Sequence, residues 1–229
     1  MEDKSRKKIK IVKDGPYLVY GDIPLEEKLI TENGDRVQFK QGKTYPAMES
    51  YSLCRCGRSS NMPFCDGQHL KTHFNGKETA SREPFFDQAD MLDGPDLILA
   101  DVEDLCAFAR FCHGEHGDSW SLTMHSDNSR LKAEALQTIC NCPAGRLVAI
   151  DKQTNEPIEP HYEPSIVIIQ DKARHCSGPI WVRGGVPIES SDGSVYEIRN
   201  RVTLCRCGRS ENKPFCDAMH ISIGFSDKK

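Results

Sequence analysis

The sequence predicts an α+β protein in which two small, mostly-β modules, residues 1–88 and 177–229, bracket a mixed middle domain at 89–176. Three observations lead there. The sixteen residues CRCGRSSNMPFCDGQH (54 to 69) return as CRCGRSENKPFCDAMH (205 to 220), with twelve positions identical. The likeness extends upstream, where GPYLVYGDIPLE (15 to 26) resembles GPIWVRGGVPIE (178 to 189), and downstream, where Phe74 and Phe225 each stand five residues after the motif histidine. Between the copies, from the turn-rich DQADMLDGPD to about Cys176, helix and strand signals mix.

Taken in order, the N-terminus carries the basic cluster Lys4 to Lys10, which a frayed, solvated terminus explains as well as a binding patch does. The GP stretches are short β-like runs closed by Gly and Pro turns. The first copy is about twelve residues longer before its cysteines, a loop-sized difference. In the middle, DVEDLCAFARFC has apolar residues at helical spacing behind an acidic start. SDNSRLKAEALQTIC reads as a helix capped by Ser126 or Asn128. RLVAID and PSIVIIQ read as strands joined by KQTNEPIEPHYE.

Composition limits the function classes. A formal charge of -4 over 229 residues disfavours a nucleic-acid partner, since phosphate contacts need concentrated Lys and Arg. No apolar run has the length of a signal core or a membrane span, so a cytoplasmic protein with no membrane partner is expected. Eleven cysteines in a reducing compartment point to metal or redox chemistry rather than disulfides.

Cys54 and Cys56, at i and i+2 of an extended segment, project to one side and can grip one metal. Cys65 and His69, at i and i+4, are neighbours on a helical turn and can grip from the facing side. Asp66 can cap that turn, whose N–H groups favour an anionic group. Three cysteines and a histidine also suit structural zinc, although C-x-C is less usual there than C-x₂₋₄-C. The residues alone leave iron–sulfur and zinc open.

The pattern C-x-C-x₂-S-x₃-P-x-C-D-G-x-H, met at Cys54, Cys56, Ser59, Pro63, Cys65, Asp66, Gly67 and His69, resembles the CDGSH iron–sulfur family. The resemblance implies a [2Fe–2S] cluster with Cys54 and Cys56 on one iron, and Cys65 and His69 on the other, more solvent-accessible one. It carries over to Cys205, Cys207, Ser210, Pro214, Cys216, Asp217 and His220, departing at Ala218, where the family has glycine. It further implies two modules facing each other across a two-fold axis, here as a pseudo-dimer within a monomer. Each copy is small for independent stability, and a shared core would supply what it lacks. Arg55, Arg58, Arg206 and Arg209 flank the motifs, as screens of cluster charge or as solvated arginines.

Cys106, Cys112 and Cys142-Pro143 resemble a single-cluster bacterial ferredoxin pattern with Ala109 at the central cysteine position. The resemblance implies a divergent ferredoxin-like domain whose three thiolates hold a [3Fe–4S] cluster, or a [4Fe–4S] cluster with an open or non-cysteine fourth site. Cys140 is read as a buried thiol, with a ligand role as the alternative. Cys176 has no evident partner, and the remaining histidines read as surface or turn residues.

With no phosphate loop, nucleotide fingerprint or nucleophile triad, the expected function is electron transfer through two [2Fe–2S] clusters and the middle cluster, to a redox partner protein. The alternatives are a redox or pH sensor that stores clusters or passes them to an apo-acceptor, and a zinc-dependent structural adaptor.

Overall fold

The computed structural model describes residues 7–34 and 36–227; the basic cluster before Lys7 lies outside them. In the first copy, β1 (Lys8–Ile11) and β2 (Tyr17–Tyr20) bury alternate residues, as strands with one face on a core do. The hairpin of β3 (Leu25–Asn33) and β4 (Arg36–Thr44) follows. Then β5 (Ser50–Leu53) leads into the first cysteine motif, which ends in the one-turn α1 (Gln68–Lys71). The middle segment holds α2 (Phe85–Gln88), β6 (Asp90–Asp93), β7 (Leu97–Asp101), α3 (Ser119–Thr123), α4 (Ser129–Cys140), β8 (Leu147–Asp151) and β9 (Pro157–Ile158). The second copy runs through β10 (Ser165–Asp171), β11 (Cys176–Arg183), β12 (Ile188–Glu189), β13 (Arg201–Leu204) and α5 (Met219–Ser222). The protein is mostly β with few helices. Among the described residues no helix is long and apolar enough to cross a membrane.

Two of the three sheets repeat one pattern. The first has the order β12-β1-β2-β5, and the second, extended by β4, contains β3-β10-β11-β13. Strand β1 runs antiparallel to β2 and parallel to β12, with Ile9 opposite Ile188. Strand β10 likewise runs antiparallel to β11 and parallel to β3, with Ile166 opposite Leu25. Each copy thus lends one strand, β3 or β12, to the other's sheet. Neither completes its sheet alone, and the core they enclose draws on both, with Ile9, Tyr17, Val19 and Leu53 packed in one cluster with Ile166, Ile180, Val182 and Leu204.

Strand β10, expected beside RLVAID, lies instead in the second copy's sheet, in the place that β1 takes in the first. The repeat therefore begins one strand before its GP turn. The unbroken apolar run of β10 fits a strand covered on both faces: Ile166 and Ile168 join the shared core, while Val167 and Ile169 pack with Trp181, Ile30 and Phe111.

The third sheet, β6-β7-β8-β9, carries α3 and α4. Asn128 caps α4, its side chain accepting from the N–H groups of Arg130 and Leu131 at 3.0 and 3.3 Å. Ser126, the other expected cap, accepts from Asp96 and Leu97 instead. The helix buries Ala135 and Ile139 against Leu97, Leu99, Leu147 and Ala149. DVEDLCAFARFC is a correction, since only Glu103–Leu105 forms a helical turn. Beyond it Phe108 and Arg110 are left-handed (φ 53° and 65°). The chain zigzags there, burying Ala107, Ala109 and Phe111 and leaving Phe108 exposed.

Candidate metal centres

Strand β5 runs directly into Cys54. The chain then loops and returns beside itself, where the Cys54 N–H donates to Pro63 O (2.8 Å) and the Cys65 N–H to Ser52 O (2.9 Å). Asp66 locks the return. Its carboxylate accepts from the Ser60 N–H at 2.7 Å and the Gln68 N–H at 3.1 Å, which holds its pKa below the usual carboxylate value, chiefly through Ser60. Gly67, left-handed at φ 85°, turns the chain into α1, which carries His69. Cys65 therefore precedes the helix instead of sharing it, yet its Sγ lies 3.4 Å from His69 Nδ1. Cys54 Sγ and Cys56 Sγ are 3.7 Å apart.

The second motif repeats these contacts: Cys205 N to Pro214 O at 2.8 Å, Glu211 N to Asp217 at 2.7 Å, Cys205 Sγ to Cys207 Sγ at 3.7 Å, and Cys216 Sγ to His220 Nδ1 at 3.4 Å. Two sulfurs about 2.3 Å from one tetrahedral metal would themselves be about 3.7 Å apart. Each C-x-C pair is thus spaced for a single metal, and each Cys–His pair is nearly so. Among the described residues no three such donors converge on one ion-sized point. The four donors of each motif form two pairs.

The Cys56 thiol and the N–H groups of Ser59, Gly57 and Arg58 hold the Cys54 thiol below its usual value. Cys56 is pushed far up by Cys54 and by burial. The Cys207 thiol and the N–H groups of Ser210 and Gly208 likewise lower Cys205. Burial raises Cys216 and, with Arg206 adding to it, lowers His220 to about 4.

Arg58 and Arg209 are solvated, but Arg55 and Arg206 are about 1 % exposed. Arg55 donates to the carbonyls of Val12 and Gly76, and Arg206 to those of Gly178 and Ile169 and to Asp227. Phe74 and Phe225 lie against these guanidinium groups, and each donates its N–H to the carbonyl of the preceding motif histidine. The repeated Arg and Phe thus brace the ligand helix against the strands.

The two C-x-C loops face each other. Gly57 (φ 73°) and Gly208 (φ 79°) are left-handed, and a Cβ on Gly57 would lie 2.4 Å from Cys207 O, while one on Gly208 would lie 2.5 Å from Cys56 O. Tyr17 of the first copy donates to Cys205 O (2.8 Å) in the second. Sequence reading did not single out these glycines, although the shared CRCGR contains them.

Residues 14–70 and 177–221 match the model of the iron-binding zinc finger CDGSH type. CDGSH domains bind iron–sulfur clusters, and the two matched regions contain all eight paired donors. No curated protein and no solved structure matches the chain.

Between the CDGSH regions, antiparallel β7 and β8 set Asp101 opposite Leu147, so the loop leaving β7 with Cys106 and the loop entering β8 with Cys142 meet. Cys106, Cys112 and Cys142 line one largely apolar cavity of about 430 Å³ with Ala109, Trp120 and Arg146. Burial pushes Cys112 up to about 11, with Cys142 and Cys106 adding to it. Asp101 holds Arg146 at the wall through two hydrogen bonds, at 2.6 and 2.8 Å. Arg201, about 1 % exposed, reaches from β13 to donate to Ile139 O, Leu147 O and Cys142 O, an anchor with no sequence signal. Cys140 Sγ is directed to Ile158 O at 3.8 Å and does not line the cavity. Cys142 also packs with Ala107, Ala144 and Cys216 of the second CDGSH region.

Ala218 adopts the left-handed conformation (φ 67°) that Gly67 takes in the first region. A β-carbon there costs about 1 kcal/mol. Ala218→Gly should raise the thermal unfolding midpoint by about 2–4 °C for a chain of this size without changing the visible spectrum. An unchanged or lowered midpoint would show that the turn is not strained.

Proposed function

We propose that this chain is a multi-cluster electron carrier, an internal pseudo-dimer of CDGSH modules with a ferredoxin-like segment inserted. Cys54, Cys56, Cys65 and His69 would hold one [2Fe–2S] cluster, and Cys205, Cys207, Cys216 and His220 a second. Cys106, Cys112 and Cys142 would hold a [3Fe–4S] cluster, or a [4Fe–4S] cluster with a fourth site that no cysteine fills. Such clusters supply one-electron chemistry when bound.

The observation that carries the electron-transfer reading is the packing of Cys142 against Cys216 in one apolar cluster with Ala107 and Ala144, which brings a residue of the middle set next to one of the C-terminal set. The donor sets favour iron–sulfur over a zinc adaptor. Paired donors that never converge in threes suit two metals better than one, and a 430 Å³ cavity is roomier than an ion with ligands at about 2.3 Å needs. The protein's part would be to hold the thiolates, offer backbone N–H groups to sulfur and surround the middle site with apolar side chains. Both electron source and sink would be one-electron redox proteins. A second reading, cluster delivery to an apo-acceptor, is favoured at one site only, by the partial exposure of Cys65 and His69.

Anaerobically purified protein should hold about seven or eight irons per chain, with matching sulfide, and give electron paramagnetic resonance signals from the middle cluster as well as the reduced [2Fe–2S] clusters. A count near four would remove the middle cluster. Zinc in place of iron would remove the whole reading.

A further inference from the structure

The two CDGSH regions repeat each other's backbone but not each other's surroundings. In the first, Cys65 and His69 are partly exposed, and the next residue, Leu70, is 74 % exposed. In the second, Cys216 and His220 are 2 % and 3 % exposed. The middle segment makes the difference. Asp104 O accepts from Asn212 Nδ2 of the second motif at 2.9 Å. Ala107 and Ala144 pack on Cys216. Arg110 is clamped to Asp171 by two hydrogen bonds, at 2.6 and 3.1 Å. Asn61, which corresponds to Asn212, is exposed.

We propose that the loop 104–112 is a built-in seal over the C-terminal site, so that an external iron ligand reaches the N-terminal site first. This rests on the reading of both motifs as iron–sulfur sites. At the C-terminal site the loop must open before a ligand can reach Cys216 and His220, which are 2 % and 3 % exposed.

The test challenges the loaded wild-type protein with excess bathophenanthroline disulfonate under reducing conditions. Release is followed by the colour of the chelate, and samples quenched with iodoacetamide are mapped by mass spectrometry. Release from the two [2Fe–2S] sites, told apart from the middle cluster's iron by following that cluster's paramagnetic signal in parallel, should be biphasic. The fast phase should carry about two irons per chain and run at least about tenfold faster than the slow one, because only the sealed site needs prior local opening. After the fast phase, Cys54, Cys56 and Cys65 should be alkylated while Cys205, Cys207 and Cys216 remain protected. Arg110→Ala should accelerate the slow phase and leave the fast one unchanged. Alkylation of both cysteine sets at one rate, or of the C-terminal set first, would overturn the proposal with the iron–sulfur reading intact. A purified chain without iron and sulfide would overturn both, a result visible before chelator is added.

Discussion

Alanine at Gly57 or at Gly208 should cost about 3 kcal/mol, the sum of left-handed strain in a non-glycine residue and an overpacked contact, and so lower the unfolding midpoint by roughly 6–12 °C. At both positions the added methyl meets a backbone carbonyl of the opposite motif, Cys207 O or Cys56 O, at 2.4–2.5 Å. A carbonyl within a ligand loop cannot step aside as a side-chain tip can. The damage should therefore cross the interface, with Gly57→Ala weakening cluster retention at the C-terminal motif as well as its own. Gly67→Ala is the control. Its φ is also left-handed, but nothing lies within 4 Å of a Cβ there, so only about 1 kcal/mol of strain is expected. The two methyls of a Gly57→Ala, Gly208→Ala double variant push the same loops apart, so its cost should fall short of the sum. Thermal unfolding with iron analysis at each midpoint checks this. Equal losses in Gly57→Ala and Gly67→Ala would mean that the motifs do not meet as described.

The parts of the protein legible in the sequence are those that depend on near neighbours. Motif spacing is local, so the residues that the fold brings into pairs, Cys54 with Cys56, Cys65 with His69 and their counterparts in the second copy, could be named. Helix capping is local too, and Asn128 with the apolar spacing of Ala135 and Ile139 identifies α4. Strand exchange is not local. The shared role of KIKI and SIVII is invisible because they share only a β pattern, and their partners β12 and β3 are remote in sequence. The buried arginines were equally hidden. Arg55, Arg201 and Arg206 donate to carbonyls of segments remote in sequence, a loop at Gly76, α4 at Ile139 and β10 at Ile169, which no composition rule exposes. The segment 103–112 misled for a different reason. Leu105, Ala107, Ala109 and Phe111 alternate, and the left-handed residues 108 and 110 turn that alternation into a cavity wall. A helical count over the same residues mistook this period of two.

The other large expected effect concerns Cys142 and Cys140, two residues apart and both thiols, which the fold uses differently. Cys140 is the last residue of α4, its Sγ directed to Ile158 O, and burial raises its pKa. Cys142 lies past the helix end, where the Cys142 N–H bonds back to Ile139 O, Arg201 holds its carbonyl, and it lines the cavity shared with Cys106 and Cys112. Cys142→Ser should therefore abolish the middle cluster's paramagnetic signal and lower iron by about three or four per chain, leaving about four in the CDGSH regions. The C-terminal [2Fe–2S] signal should persist, because Cys142 packs against Cys216 without holding it, and serine keeps nearly the same volume. Cys140→Ser should leave iron content and every signal unchanged, with a modest stability loss at most, since the hydroxyl can donate to the same carbonyl. Should Cys140→Ser also remove the middle signal, the site would be a four-cysteine [4Fe–4S] centre, and the end of α4 would have to unwind to bring that sulfur into the cavity.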